Sequence, residues 1–188
     1  MRTNKASCFI QRCVMLRYFF AIILFAVMLN ACHGPAILKE QQFDGFSVKI
    51  ADFLVPMKKP EVRSSAYFED TVNNCLFMVV KESKDSMVAY GLHYTLDSYF
   101  DKTSKDLYTK LQGEELDKFN SYYDTINSCK AIVGHIMGRI GEDHLLYYLA
   151  IIETKKNFYQ LICAMPKDQE SRYRKPLNEM IKSFREKE

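Results

Sequence analysis

Asn157-Phe158-Tyr159-Gln160-Leu161-Ile162-Cys163-Ala164-Met165-Pro166 is the stretch on which the fold turns. Leu161 to Met165 is apolar at every position, so both faces of an extended segment are apolar, and Pro166 ends it. Two runs of the same kind precede it, Lys130 to Ile140 and His144 to Glu153. Gly141-Glu142-Asp143 and Thr154-Lys155-Lys156-Asn157 stand between them as turns. Short apolar runs bounded by turn residues predict three strands in an antiparallel meander. A sheet with one wet face would alternate apolar and polar residues, and Leu145 to Ile152 does not. Each face must therefore be covered, with helices as the candidates.

The segment after Pro166 supplies one cover. Tyr173, Leu177, Met180, Ile181 and Phe184 fall on one helical stripe. Asp168 can cap its start, and Lys182, Arg185 and Lys187 suit the negative end of the helix dipole. Pro176 predicts either a first-turn position or a kink. Upstream, Leu96, Tyr99, Phe100, Thr103, Leu107 and Leu111 form a second stripe. Thr95 or Asp97 can open that helix and Gly113 can close it. Glu114 to Tyr123 reads as a short helix with Leu116, Phe119 and Tyr123 on one side, and Met87 to Tyr94 is ambiguous, broken by Gly91.

Towards the N-terminus, Phe46, Val48 and Ile50 alternate with Ser47 and Lys49 as an opening strand region over 45–55. Ala66 to Glu69 and Cys75 to Lys81 read as a hairpin turned by Asp70 to Asn74, where Asn73-Asn74 tolerates positive φ. Leu76 to Val80 is apolar on both faces, as an interior strand would be.

The ending Asn157-Phe158-Tyr159-Gln160-Leu161, Pro166, then a helix closing on Ile181-Lys182-Ser183-Phe184, resembles PsbP-like domains. So does the opening strand Phe46-Ser47-Val48-Lys49-Ile50 running into a proline. The likeness spans 45–184. It implies an α+β fold, a three-layer α/β/α sandwich around a mostly antiparallel sheet, and a habit of accessory protein binding. It carries over no catalytic residue. The chain departs from such domains in holding no Trp.

The first thirty-two residues give an address. Arg17 precedes an apolar run from Tyr18 to Leu29, too short for the ~20 residues a membrane-spanning helix needs. A charged start, a short apolar middle and a small residue before the cut make a secretory signal. Leu29-Asn30-Ala31-Cys32 resembles the lipobox of bacterial lipoproteins, in which the cysteine receives a diacylglycerol and the peptide is cut before it. The resemblance implies lipidation at Cys32, with 1–31 removed as a signal peptide. A start at Met15 would give a signal of ordinary shape. Residues 32–44, with Gly34-Pro35, then read as a tether and 45–188 as one globular domain. His33 rather than Asp follows Cys32, so the inner-membrane retention signal of some lipoproteins is missing. That implies a bacterial cell envelope location, at the outer membrane facing the periplasm.

Charge and cysteines narrow the classes. The formal charge of +3 misleads, because Arg2, Lys5, Arg12 and Arg17 lie in the signal, which holds no acid. Taking those four from 26 cations leaves 22 against 23 acids, a net of −1. A nucleic-acid binder would show a basic excess on its folded part. Beyond Cys32 the chain holds Cys75, Cys129 and Cys163, with no Cys-x-x-Cys and no Cys/His zinc spacing. Cys129 and Cys163 would lie at different levels of the meander, with a strand between them, so no bond is expected between them. A bond of either to Cys75 stays open, and Cys163 is expected to be a buried thiol.

No catalytic set stands out. Gly-x-Ser-x-Gly is absent. His135 and His144 could come moderately close across a hairpin, where a metal or general-base role is open, but two histidines without a third ligand make a weak site and a structural or surface role is favoured for each; His33 and His93 have no partner in sequence. Gly134, Gly138 and Gly141 lack the Lys-Ser/Thr ending of a phosphate loop and do not open a helix. Gly134 and Gly138 share strand parity, which predicts a close approach of a covering helix or a bulge. Tyr99, Tyr147, Tyr148, Tyr159 and Tyr173 fall on core stripes, whereas Tyr122-Tyr123 is unexplained by them. No catalytic residue, cofactor or metal is therefore expected. Two functions remain open: a lipid-tethered, non-catalytic module that binds another envelope protein, or a carrier or sensor of a small ligand or lipid with an aromatic pocket between sheet and helix.

Overall fold

The computed structural model describes residues 36–57, 64–110, 121–140 and 143–187, all within the compact unit Ala36–Glu188. In chain order the strands are β1 (Leu38–Phe43), β2 (Phe46–Ala51), β3 (Val55–Pro56), β4 (Ala66–Asp70) and β5 (Cys75–Ser83). Helices α1 (Lys84–Ala89) and α2 (Leu96–Lys110) follow. Then come β6 (Tyr122–Ile126), β7 (Cys129–Ile140), β8 (Asp143–Glu153) and β9 (Asn157–Pro166). A 3-10 turn at Lys167–Gln169 leads into α3 (Glu170–Lys182), and β10 (Arg185–Glu186) closes the order.

β7, β8 and β9 form the expected meander, with Gly134 opposite Leu149 and Tyr148 opposite Cys163. The hairpin β4–β5 joins it through β5 and β9, where Phe77 faces Cys163. The result is a seven-stranded antiparallel sheet in the order β3-β4-β5-β9-β8-β7-β6. Pro56 sits in the end strand β3, where a missing N–H leaves no ladder bond unmade.

Strand periodicity sorts the core into two. Leu146, Tyr148, Ala150 and Ile152 of β8 point into one cluster, with Phe46, Val48, Phe77, Leu161, Cys163, Leu177 and Ile181. Tyr147, Leu149 and Ile151 point into the other, with Met87, Leu96, Tyr99 and Phe100. That is why β8 reads apolar at every position. The second face is covered by α1 and α2. The first is covered by α3 together with a small sheet ordered β1-β2-β10, so a sheet joins the helices expected as covers there.

Several local readings also change. Leu38–Phe43, read as tether, is strand β1, paired along its length with β2. It turns into β2 through Asp44-Gly45, with Gly45 at φ +81°, and the compact unit begins at Ala36 rather than at 45. Tyr123, expected on a helix, lies in β6 opposite Ile132; Leu116, Phe119 and Gly113 lie outside the described residues. The β6–β7 turn takes positive φ at both Asn127 and Ser128. Pro176 lies inside α3, beyond its first turn. Asn74 holds the positive φ expected of the 70–74 turn, at +52°.

Candidate functional site

The residues singled out in the sequence do not converge. Cys32 lies outside the described residues. His135 pairs with Tyr148 and His144 with Arg139, so the two histidines stand four strand positions apart, about 13 Å. The expected approach across the hairpin does not occur. Among the described residues no three His, Cys, Asp or Glu side chains gather to hold a metal. Gly134 and Gly138 are buried, and their parity is that of Ile132 and Ile136, the face on which α2 packs. This agrees with the close-approach reading. Cys75, Cys129 and Cys163 are free thiols, with Cys75 and Cys163 fully buried in the first core.

Four buried tyrosines spend their hydroxyls inside the protein. Tyr99 donates to Glu82 at 2.7 Å and accepts from Gln160 at 2.6 Å. Tyr148 donates to Glu170, and Tyr173 to Asp70 at 3.0 Å. Tyr159 lies within 3.3 Å of Glu186, which also accepts from Thr154 and Asn157. Among the described residues no buried side-chain nitrogen or oxygen lacks a partner. The rings of Tyr99, Tyr148, Tyr159 and Tyr173 are therefore part of the packed interior.

One polar shelf borders the first core. His135 meets the Tyr148 ring edge-on at 4.2 Å, and Glu170 takes Lys167 at 2.5 Å and Arg174 at 3.5 Å. Lys167 is the main cause holding the Glu170 carboxyl below its usual range. Burial first, then the Arg174 charge, pushes the His135 imidazole below its ordinary value. The Glu170 charge is spent on Lys167 and Arg174.

One of the exposed apolar features is the segment Val88–Leu92 at the end of α1. Ser83 Oγ accepts from the Ser86 amide and starts the helix. Lys84 pairs with Glu153 at 2.7 Å and lies over the Phe158 ring, which pins the helix to the end of the sheet. At the other end, Leu92 N–H donates to the Met87 carbonyl and Gly91 N–H to that of Val88, with Gly91 at φ +75°. That bond pair is the Schellman motif, which needs a left-handed residue after the helix. Met87 is buried beneath, yet Tyr90 is 83% exposed, with Val88 and Leu92 exposed on either side. Tyr94 stacks edge-on against Tyr99, joining the segment to the second core. Gly91 as a breaker was visible in the sequence; the exposure of Tyr90 and Leu92 was not, because apolar residues at a helix end read as core.

No protein-family model and no curated protein matches the chain. Solved structures do. The cyanobacterial PsbP (CyanoP) of Synechocystis is similar with a TM-score of 0.57 at 14% identity, over 84% of this chain and 96% of that one. LpqN of Mycobacterium tuberculosis, a protein described as involved in cell envelope biogenesis, is similar with a TM-score of 0.53 at 9% identity, over 80% and 91%. PA94 of Pseudomonas aeruginosa, a protein of unknown function, gives 0.51 at 10% identity, over 82% and 99%. Element order, two-sided sheet and these likenesses together make the chain an α+β domain of PsbP-like fold.

Proposed function

We propose that the protein is a lipoprotein of a bacterial cell envelope, anchored through Cys32 and facing the periplasm from the outer membrane, that works as a non-catalytic docking module. The observation that carries the docking role is the exposed Val88-Tyr90-Leu92 segment on a backbone turn closed by hydrogen bonds. Large apolar side chains held in place before binding lose little freedom on association, and tyrosine is enriched among residues that dominate interface energies. The spent hydroxyls of the core and the scattered histidines support a role without chemistry. The anchor rests on the lipobox-like Leu29-Asn30-Ala31-Cys32, and more than one acyl chain is needed for stable attachment.

The test is a crosslinked pull-down of the lipidated protein from native membranes, beside Cys32→Ala and Tyr90→Ala/Leu92→Ala variants. One stoichiometric envelope protein is expected with the parent chain. The double variant is expected to cost about 2 kcal/mol of binding, roughly thirtyfold in affinity. Undiminished capture by a folded double variant would reject the docking surface.

A further inference from the structure

We infer that the corner of the domain formed by Ile37, Val55, Met57 and Val72 rests on the bilayer surface, so that the Val88–Leu92 end stands outward. The inference rests on the lipidation of Cys32 proposed above.

Backbone and ring contacts gather these residues at one corner. Asp52 N–H donates to the Ile37 carbonyl at 3.0 Å, and the Ile37 amide donates back to the Asp52 carboxylate. Phe53 lies against the Tyr173 ring, whose hydroxyl reaches Asp70. Val55 pairs with Glu69, and Met57 N–H bonds the Tyr67 carbonyl. Val72 crowns the adjoining turn, with its amide on Asp70. Val72 is 88% exposed and Ile37 61% exposed, and Val55 and Met57 are exposed beside them. The edge of the first core, against which Ala36, Leu38 and Phe53 pack, thus carries a group of apolar side chains turned to solvent.

Chain length names the occupant. Ala36 is four residues from Cys32. Even fully extended, that length spans at most about 14 Å. A lipid on Cys32 therefore keeps Ile37 close to the headgroups, whatever path the link takes. The Val88–Leu92 segment lies at the far end of β5, whose nine residues rise roughly 26 Å from Cys75 to Ser83. Arg172 belongs to the same corner, on Asn73 and over the Tyr173 ring, and supplies a cation there for an anionic headgroup. Apolar side chains next to an acyl anchor add to membrane attachment at the interfacial depth.

The experiment uses the full lipidated protein in vesicles of phosphatidylethanolamine and phosphatidylglycerol. A polarity-sensitive fluorophore is attached at Val72→Cys, and separately at Tyr90→Cys, in a Cys129→Ser background that leaves only buried native thiols. Intact mass first reports the acyl groups. A blue shift, protection from aqueous iodide and quenching by brominated lipid at position 72, with position 90 open to iodide, is the expected result. Both positions open to iodide on an acylated protein overturns the seating and leaves the anchor standing. Protection from iodide at 72 without quenching by brominated lipid means a second copy or another protein covers the corner, and also overturns it. A mass without acyl groups removes the anchor and the inference together.

Discussion

Asp70 gathers four hydrogen bonds on one carboxylate: the amides of Val72 and Asn73, the Asn73 side chain at 2.7 Å, and the Tyr173 hydroxyl. Burial alone would raise its pKa, but the donors outweigh it and leave the carboxyl below the usual range. A depressed acid stabilises the fold fully above its unfolded value and loses that contribution as pH falls through the lower folded value. Denaturation midpoints are therefore expected to drop below about pH 4, and Asp70→Asn should flatten that acid limb. Tyr173→Phe removes one donor and should cost about 1 kcal/mol in urea unfolding at pH 7. The thiols give a second check at this scale. Burial pushes Cys75 up to about 12 and Cys163 well above the ordinary value. Of the three domain cysteines, only half-buried Cys129 is expected to react with a thiol reagent in the native protein. Rapid native labelling of Cys163 would contradict its place opposite Tyr148.

At the scale of elements, the turn after α1 depends on a residue that accepts φ +75°, and a side chain at Gly91 would meet no neighbour within 4 Å. A substitution there is strained by backbone conformation alone. Gly91→Val should destabilise by about 1–2 kcal/mol and weaken capture by releasing Tyr90, measurable by thermal unfolding and pull-down together. The start of α2 is reciprocal: Thr95 Oγ1 accepts from the Ser98 amide, and the Ser98 hydroxyl accepts from the Thr95 amide. Thr95→Ala should cost about 1 kcal/mol, read by the same melt. This helix was legible because Leu96, Tyr99, Phe100 and Thr103 are all buried. β1 was not legible, since Leu38-Lys39-Glu40-Gln41-Gln42-Phe43 lies at the edge of the small sheet with its middle exposed on both faces. No burial forces alternation there, and only the Asp44-Gly45 turn marked it. β6 failed for a similar reason: four of its five residues, Tyr122 to Thr125, are exposed or half-buried, and only Ile126 is buried.

For the whole molecule, both cores share one sheet, so neither can be lost while the other stays. Leu161→Ala, which empties a fully buried site between β5 and β8, should cost about 2–5 kcal/mol. The far-ultraviolet and near-ultraviolet unfolding curves should still coincide, as for one cooperative unit. Two-sided burial of the meander was legible, because β8 is apolar throughout. The exposure of Val88, Tyr90 and Leu92 was hidden, because sequence does not separate an apolar residue that packs from one that is presented. The same alternation governs what the chain can become over generations. In β8 each letter is assigned to a core by odd or even position, and most apolar letters are exchangeable within their own set. Adding one residue to the strand exchanges the two sets, and every side chain beyond it then meets the wrong layer. Spelling is therefore free to drift while word length is not, which is how an architecture outlives resemblance between its sequences.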